Sequence, residues 1–174
     1  MIIRGFTLLE LLIVISVLGV LATSLFLLLN PAEMLARSRD TGRITSTAVL
    51  GRAVTTYFTT HDGNYPPENI WSEEIVETQD IGRFPSGLVY ANGVIPCGVN
   101  TQPTGKPTYC YDTDDLGLNG VLIFSKLETY KQNSKCTPPQ VAYSVYSSAD
   151  GKNGIICSDV DPVPWEEGTQ TYVE

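Results

Sequence analysis

From Phe6 to Leu29 the chain is almost continuously apolar, broken only by Glu10 and by the small or weakly polar Thr7, Ser16, Gly19, Ala22, Thr23 and Ser24. Such a run predicts a helix roughly 36 Å long, enough to cross a bilayer core of roughly 30 Å. A cleaved secretory signal would have a shorter apolar stretch of about 7–15 residues, followed by small residues at its cleavage site. Here large apolar residues continue up to Asn30, so the segment reads as retained. Beyond Pro31 the pattern becomes amphipathic. Leu50, Ala53, Val54, Tyr57 and Phe58 recur at helical spacing, a stripe expected to cover a sheet. Arg37, Arg39, Asp40, Arg43 and Arg52 are expected on solvated or subunit-contact faces. Pro31 is expected to kink a continuing helix rather than to open a new one. The breaker cluster His61-Asp62-Gly63-Asn64 ends it. Gly63 suits a left-handed cap, and Tyr65 is placed to close the bottom of the core.

From about Pro66 to Asn119 the chain is rich in Pro, Gly, Asn and Thr and reads as a long loop. Short strands are expected at Leu88-Val89-Tyr90 and Thr108–Tyr111. Stronger ones are expected at Gly120–Leu127 and Gln140–Ser147, with Ile155-Ile156-Cys157 adding another. Asp114–Gly120 reads as a turn. The sum is an α+β chain, with an antiparallel sheet laid on a long N-terminal helix and an exposed acidic tail from Pro162 to Glu174.

Charge and cysteine content narrow the function. The formal net charge is -8, so phosphate backbones find little attraction and nucleic acid is an unlikely partner. Cys97, Cys110, Cys136 and Cys157 all lie in the second half, with no Cys-x-x-Cys spacing. An even number downstream of a membrane-directing segment favours disulfides in an oxidising compartment over metal ligation. Three pairings are possible. Short closures favour Cys97–Cys110 with Cys136–Cys157. Enzymatic chemistry finds little support. His61 is the sole histidine, and neither a Gly-x-Ser-x-Gly elbow nor a phosphate loop is present, so no catalytic residue is nominated. Glu73, Glu74 and Glu77 read as solvated carboxylates. Trp71, Tyr90 and Trp165 are expected mainly in packing, with an adhesive surface as the alternative.

Glu10 is the anomaly, because a carboxylate inside an apolar span costs several kcal/mol unless paired or neutralised. With its surroundings, Arg4-Gly5-Phe6-Thr7-Leu8-Leu9-Glu10-Leu11-Leu12-Ile13-Val14-Ile15, it resembles the class III signal of type IV prepilins and type II secretion pseudopilins. The resemblance implies cleavage between Gly5 and Phe6 by a prepilin peptidase and N-methylation at Phe6. Phe6 and Glu10 become the assembly pair, the new ammonium of one subunit meeting the carboxylate of another. The implied organisation is a removed leader at 1–5, a transmembrane and filament-core helix at 6–30, its amphipathic continuation at 31–62 and a globular head at 63–174. The implied partners are further copies of the chain, the membrane before assembly, the peptidase, a platform protein and an assembly ATPase. The precursor is expected in the inner (cytoplasmic) membrane with its head outside the cytoplasm, then in an extracellular or periplasmic filament. Counting basic residues points the other way, with Arg37, Arg39 and Arg43 after the span against Arg4 before it. Long domains, however, translocate largely regardless of charge.

Two further stretches resemble major pseudopilins. Asp62-Gly63-Asn64-Tyr65-Pro66 is similar to their helix exit, and Ser147–Gly154 to the loop leading into their calcium site. Asp150, Asp159 and Asp161 are the calcium candidates, although an ordinary Asp-Gly turn is the favoured reading of Asp150-Gly151. The family kink proline would fall near Leu27 instead of Pro31. Alternatives to a pilus subunit are a major pseudopilin of type II secretion and a DNA-uptake or adhesive minor pilin.

Overall fold

The structure, a computed structural model, describes residues 5–28, 30–85, 88, 90, 97, 108–113, 120–162 and 170–173. The chain falls into two compact units, Met1–Leu35 and Ala36–Glu174.

The first unit is helical. Helix α1 spans Leu8–Leu28, and every side chain described in it is exposed. Its stretch Leu8–Phe26 is long and apolar enough to cross a membrane. The hydroxyls of Ser16, Thr23 and Ser24 donate to the carbonyls of Leu12, Gly19 and Val20, so these polar groups are satisfied within the helix, as a lipid surrounding demands. At Asn30 the backbone turns left-handed, with φ +43. Its Oδ1 accepts from the Glu33 N–H at 3.4 Å, and Pro31 is the first residue of helix α2, Pro31–Thr60. The expected kink is therefore corrected. Asn30 caps a second helix, and Pro31 sits where a missing N–H costs nothing.

In the second unit α2 lies on a five-stranded antiparallel meander, β1 Cys110–Thr113, β2 Val121–Lys126, β3 Val141–Ser147, β4 Lys152–Ser158 and β5 Tyr172–Val173, in that spatial order. Pairings such as Tyr111↔Ile123, Phe124↔Val145 and Tyr143↔Ile156 fix the register. Alternation along β1 and β2 divides the core. Tyr111, Val121 and Ile123 face Leu50, Ala53, Val54 and Tyr57 of α2, with Trp71 and Ile75 of helix α3 (Trp71–Glu77) filling the same cluster. Cys110, Leu122 and Phe124 face the opposite way and cluster with Cys97, Val145 and Ile156. Helix and sheet approach most closely at Gly51, where an added Cβ would fall 2.3 Å from the Tyr146 ring. The Tyr146 hydroxyl meets Thr55 Oγ1 at 2.7 Å.

The helix exit follows the expected breakers with one shift. Asp62, with φ +54, takes the first left-handed position, and Gly63 follows and donates its N–H to Phe58 O at 3.1 Å. This is the six-to-one bond of a Schellman end. The Phe58 ring stacks on Tyr65 at 4.5 Å, which holds Tyr65 against the core. Of the expected short strands, Thr108–Tyr111 begins two residues later, as β1. Val89, the Asp114–Asn119 part of the turn and Trp165 lie outside the described residues.

Candidate functional site

At the start of α1, Thr7 and Glu10 cap each other. The Glu10 N–H faces Thr7 Oγ1 at 3.2 Å, while Glu10 Oε2 accepts from the Thr7 N–H at 2.9 Å and from the Thr7 hydroxyl at 2.8 Å. This reciprocal arrangement satisfies donors that a helix start leaves orphaned. Both Thr7 contacts fall on Oε2, so Oε1 is open among the described residues. Phe6 is 74% exposed, and an added Cβ at Gly5 would meet nothing within 4 Å. The backbone on both sides of the Gly5–Phe6 bond is thus unobstructed, while the leader residues Met1–Arg4 lie outside the described residues. The role of Thr7 went unread in the sequence, although the spacing Thr7-x-x-Glu10 before an apolar run is the signature of this cap.

The head is held by groups the sequence placed elsewhere. Asp40 and Arg43 are 2% and 0% exposed; they belong to the buried stripe of α2 and not to a solvated face. Asp40 accepts from Arg43 Nη1 at 2.9 Å and from the N–H groups of Glu128 and Thr129 at 3.0 and 2.9 Å. Arg43 also pairs with Glu128, donates to Leu88 O at 3.1 Å and lies over the Tyr90 ring at 3.9 Å. Arg39 completes the network by bridging Glu128 at 2.9 Å. Although partial burial works against ionisation of Glu128, hydrogen bonds from Arg39 and Arg43 hold its pKa below the usual carboxylate value. A buried pair this well connected fixes where α2 meets the sheet, since losing one member would strand the others. The signal was present, because Asp40, Arg43, Thr47, Leu50, Val54 and Tyr57 follow one three-and-four spacing.

The four cysteines form Cys97–Cys110 and Cys136–Cys157. The first ties the segment at residue 97 to β1, and the second ties the turn after helix α4 (Tyr130–Asn133) to β4. The calcium candidates are not brought together. Asp150 lies in the β3–β4 turn and accepts from the Tyr172 hydroxyl at 3.1 Å. Asp161 follows the far end of β4 and accepts from the Tyr143 hydroxyl at 3.3 Å, with Asp159 beside it in sequence. The length of β4, about 20 Å at roughly 3.3 Å per residue, separates Asp150 from the other two. Among the described residues no group of three or more metal-ligating side chains occurs. The His61 ring stacks on Tyr57 at 3.7 Å and its Nδ1 lies 3.0 Å from Tyr57 O, a role in the helix end. Trp71 and Tyr90 are buried.

Residues 2–26 match the prokaryotic N-terminal methylation motif, the class III prepilin signal of type IV pilins and pseudopilins. No curated protein and no solved structure matches the chain significantly. The apolar N-terminal helix, the helix that follows it and the antiparallel sheet make the fold α+β and pilin-like.

Proposed function

We propose that the chain is the precursor of a structural subunit of a type IV pilus-like filament. A prepilin peptidase cleaves it between Gly5 and Phe6, the new terminus is N-methylated, and subunits assemble through α1. The observation that carries this reading is the methylation motif on a helix whose described side chains are all exposed. A helix apolar on every side needs lipid or other helices around it. The head stands outside the cytoplasm, where its two disulfides are favoured. A platform protein and an ATPase move the subunit from membrane to filament, and neither catalysis nor a cofactor enters the role.

Cleavage creates an ammonium on Phe6. Glu10 Oε1, left open by the Thr7 cap, is positioned to receive that group from a neighbouring copy while Oε2 keeps its own helix capped. In a core without water the attraction is strong, and the pair sets axial register between copies. Intact mass and N-terminal peptide mapping of protein from its native membranes test the reading. A methylated Phe6 terminus supports it, and a retained leader where the peptidase is active refutes it. Glu10→Ala is expected to give processed subunits that assemble poorly, seen as protein held in membranes and absent from sheared filaments.

The helix exit favours a second reading, a major pseudopilin of type II secretion. Asp62-Gly63-Asn64-Tyr65-Pro66 closes α2 through the Gly63–Phe58 bond and seats Tyr65 on the core. Loss of secretion with no surface filament on deletion would select it.

A further inference from the structure

The head carries unlike charges at the two ends of its helix. Near the first buried turns of α2, the Thr129 N–H donates to Asp40 Oδ2 at 2.9 Å, and the chain then enters α4. There Tyr130 is 78% exposed. Lys131 and Lys135 are also exposed, and their ammonium groups form no ion pair among the described residues. Near the last turn, Glu74 accepts from the Tyr57 hydroxyl at 3.3 Å, which places α3 there. Asp40 and Tyr57 are separated by about 26 Å of helix at about 1.5 Å per residue.

Helix α3 exposes Glu73 and Glu77, one turn apart, and like charges at that spacing repel. Neither is ion-paired among the described residues. Beside them opens a cleft of about 400 Å³, lined by the apolar Val76 and Phe84 and by Glu73, Glu77 and Arg83. One end of the head therefore presents an exposed aromatic ring followed in sequence by two exposed cations. The other presents an open cleft with apolar walls and an excess of carboxylates.

We propose that this cleft receives Tyr130 of a second copy of the chain, with that copy's Lys131 and Lys135 set against Glu73 and Glu77. Charge complementarity selects the occupant. Copies of a chain with net charge -8 repel in most orientations, and bringing α4 to α3 is an approach that juxtaposes opposite charges. A tyrosine with one apolar body and one polar tip suits such a site. The two patches lie at opposite ends of one head, so the contact is heterologous and repeats from copy to copy along the α2 direction. Its repetition in a filament rests on the reading above; the pairwise contact does not.

A photo-crosslinking amino acid in place of Tyr130, in full-length protein in its native membranes, tests the contact by peptide mapping. Adducts are expected between copies, on residues 72–84. They should fall about fivefold or more in Lys131→Glu/Lys135→Glu and return when Glu73→Lys/Glu77→Lys is added to the same chain. Raised salt should weaken them. Adducts mapping elsewhere, or none between copies, overturn the proposal, as does failure of the compensating reversal in protein whose two disulfides have formed. The N-terminal peptide from the same digest reports leader removal, so failure of the filament reading is seen separately.

Discussion

Two carboxylates near the start of the chain show how differently the two units are built. Glu10 of the first unit is exposed and is satisfied by its own helix, through Thr7 three residues away. Asp40 of the second is 2% exposed and takes its partners from Arg43 and, far along the chain, from the backbone of Glu128 and Thr129. One unit satisfies its polar groups locally and leaves its apolar surface bare. The other buries its polar groups among partners that only folding brings together. The first is finished by what surrounds it and the second by itself.

Substitutions should respect that division. Arg43→Ala leaves Asp40 and Glu128 without their shared cation and is expected to destabilise the head by about 3–5 kcal/mol, measured by urea unfolding of the full chain in micelles. Replacing Cys136 and Cys157 with Ser opens a loop of sequence separation 21 and should lower stability by roughly 3 kcal/mol in the same assay. Gly51→Ala forces a methyl into the Tyr146 ring and should cost about 1–3 kcal/mol. Gly19→Ala in α1, where an added Cβ meets nothing within 4 Å, should leave the head transition unmoved. If Gly19→Ala unfolds the head, the division between the units is wrong.

The smaller effects concern single protons and caps. Asp112 on β1 has its pKa raised to about 7, first by burial and then by a hydrogen bond with Glu68. The folded head then holds a proton that the unfolded chain releases near pH 4, so stability falls as pH rises from about 4 through about 7. Asp112→Asn should flatten that part of the profile. Thr7→Val removes the hydroxyl half of the reciprocal cap, leaving the backbone N–H on Glu10, and should cost α1 about 1 kcal/mol, read as faster amide exchange at Leu8–Leu11 with no change in the urea midpoint of the head.

Periodic apolar patterns made most of this architecture legible. The span Leu8–Leu28, the stripe from Leu50 to Tyr57 and the strands β2 and β3 were all readable within a residue or two. Cys136, ahead of β3, is bonded to Cys157 on β4, in keeping with their short separation. Asp40 and Arg43 carry charge, which suits a solvated face, yet they are buried, and their burial depends on Glu128, which no local pattern announces. Pro31 reads as a kink because a helical pattern resumes directly after it, but a proline also suits the first turn of a new helix. The left-handed Asn30 decides between them. β5 was missed because two residues carry no period, and Tyr172 is held by Asp150 and by packing over Gly154. At the N-terminus, Glu10 stands out in the sequence as a lone carboxylate in an apolar run, while the Thr7 cap that occupies one of its oxygens is less conspicuous.

The paired cysteines also have a mechanical meaning. A head loaded in tension can lengthen only through the parts of its chain that are free to straighten. The covalent loops withhold sequence separations of 13 and 21 residues, together on the order of 110 Å of contour at roughly 3.3 Å per residue. Apart from Ser158, the β3–β4 hairpin lies inside the larger loop, so a pull at the chain ends cannot unzip that part while the bond holds. Reduction would turn a short, stiff link into a long, extensible one while leaving α1 unaltered.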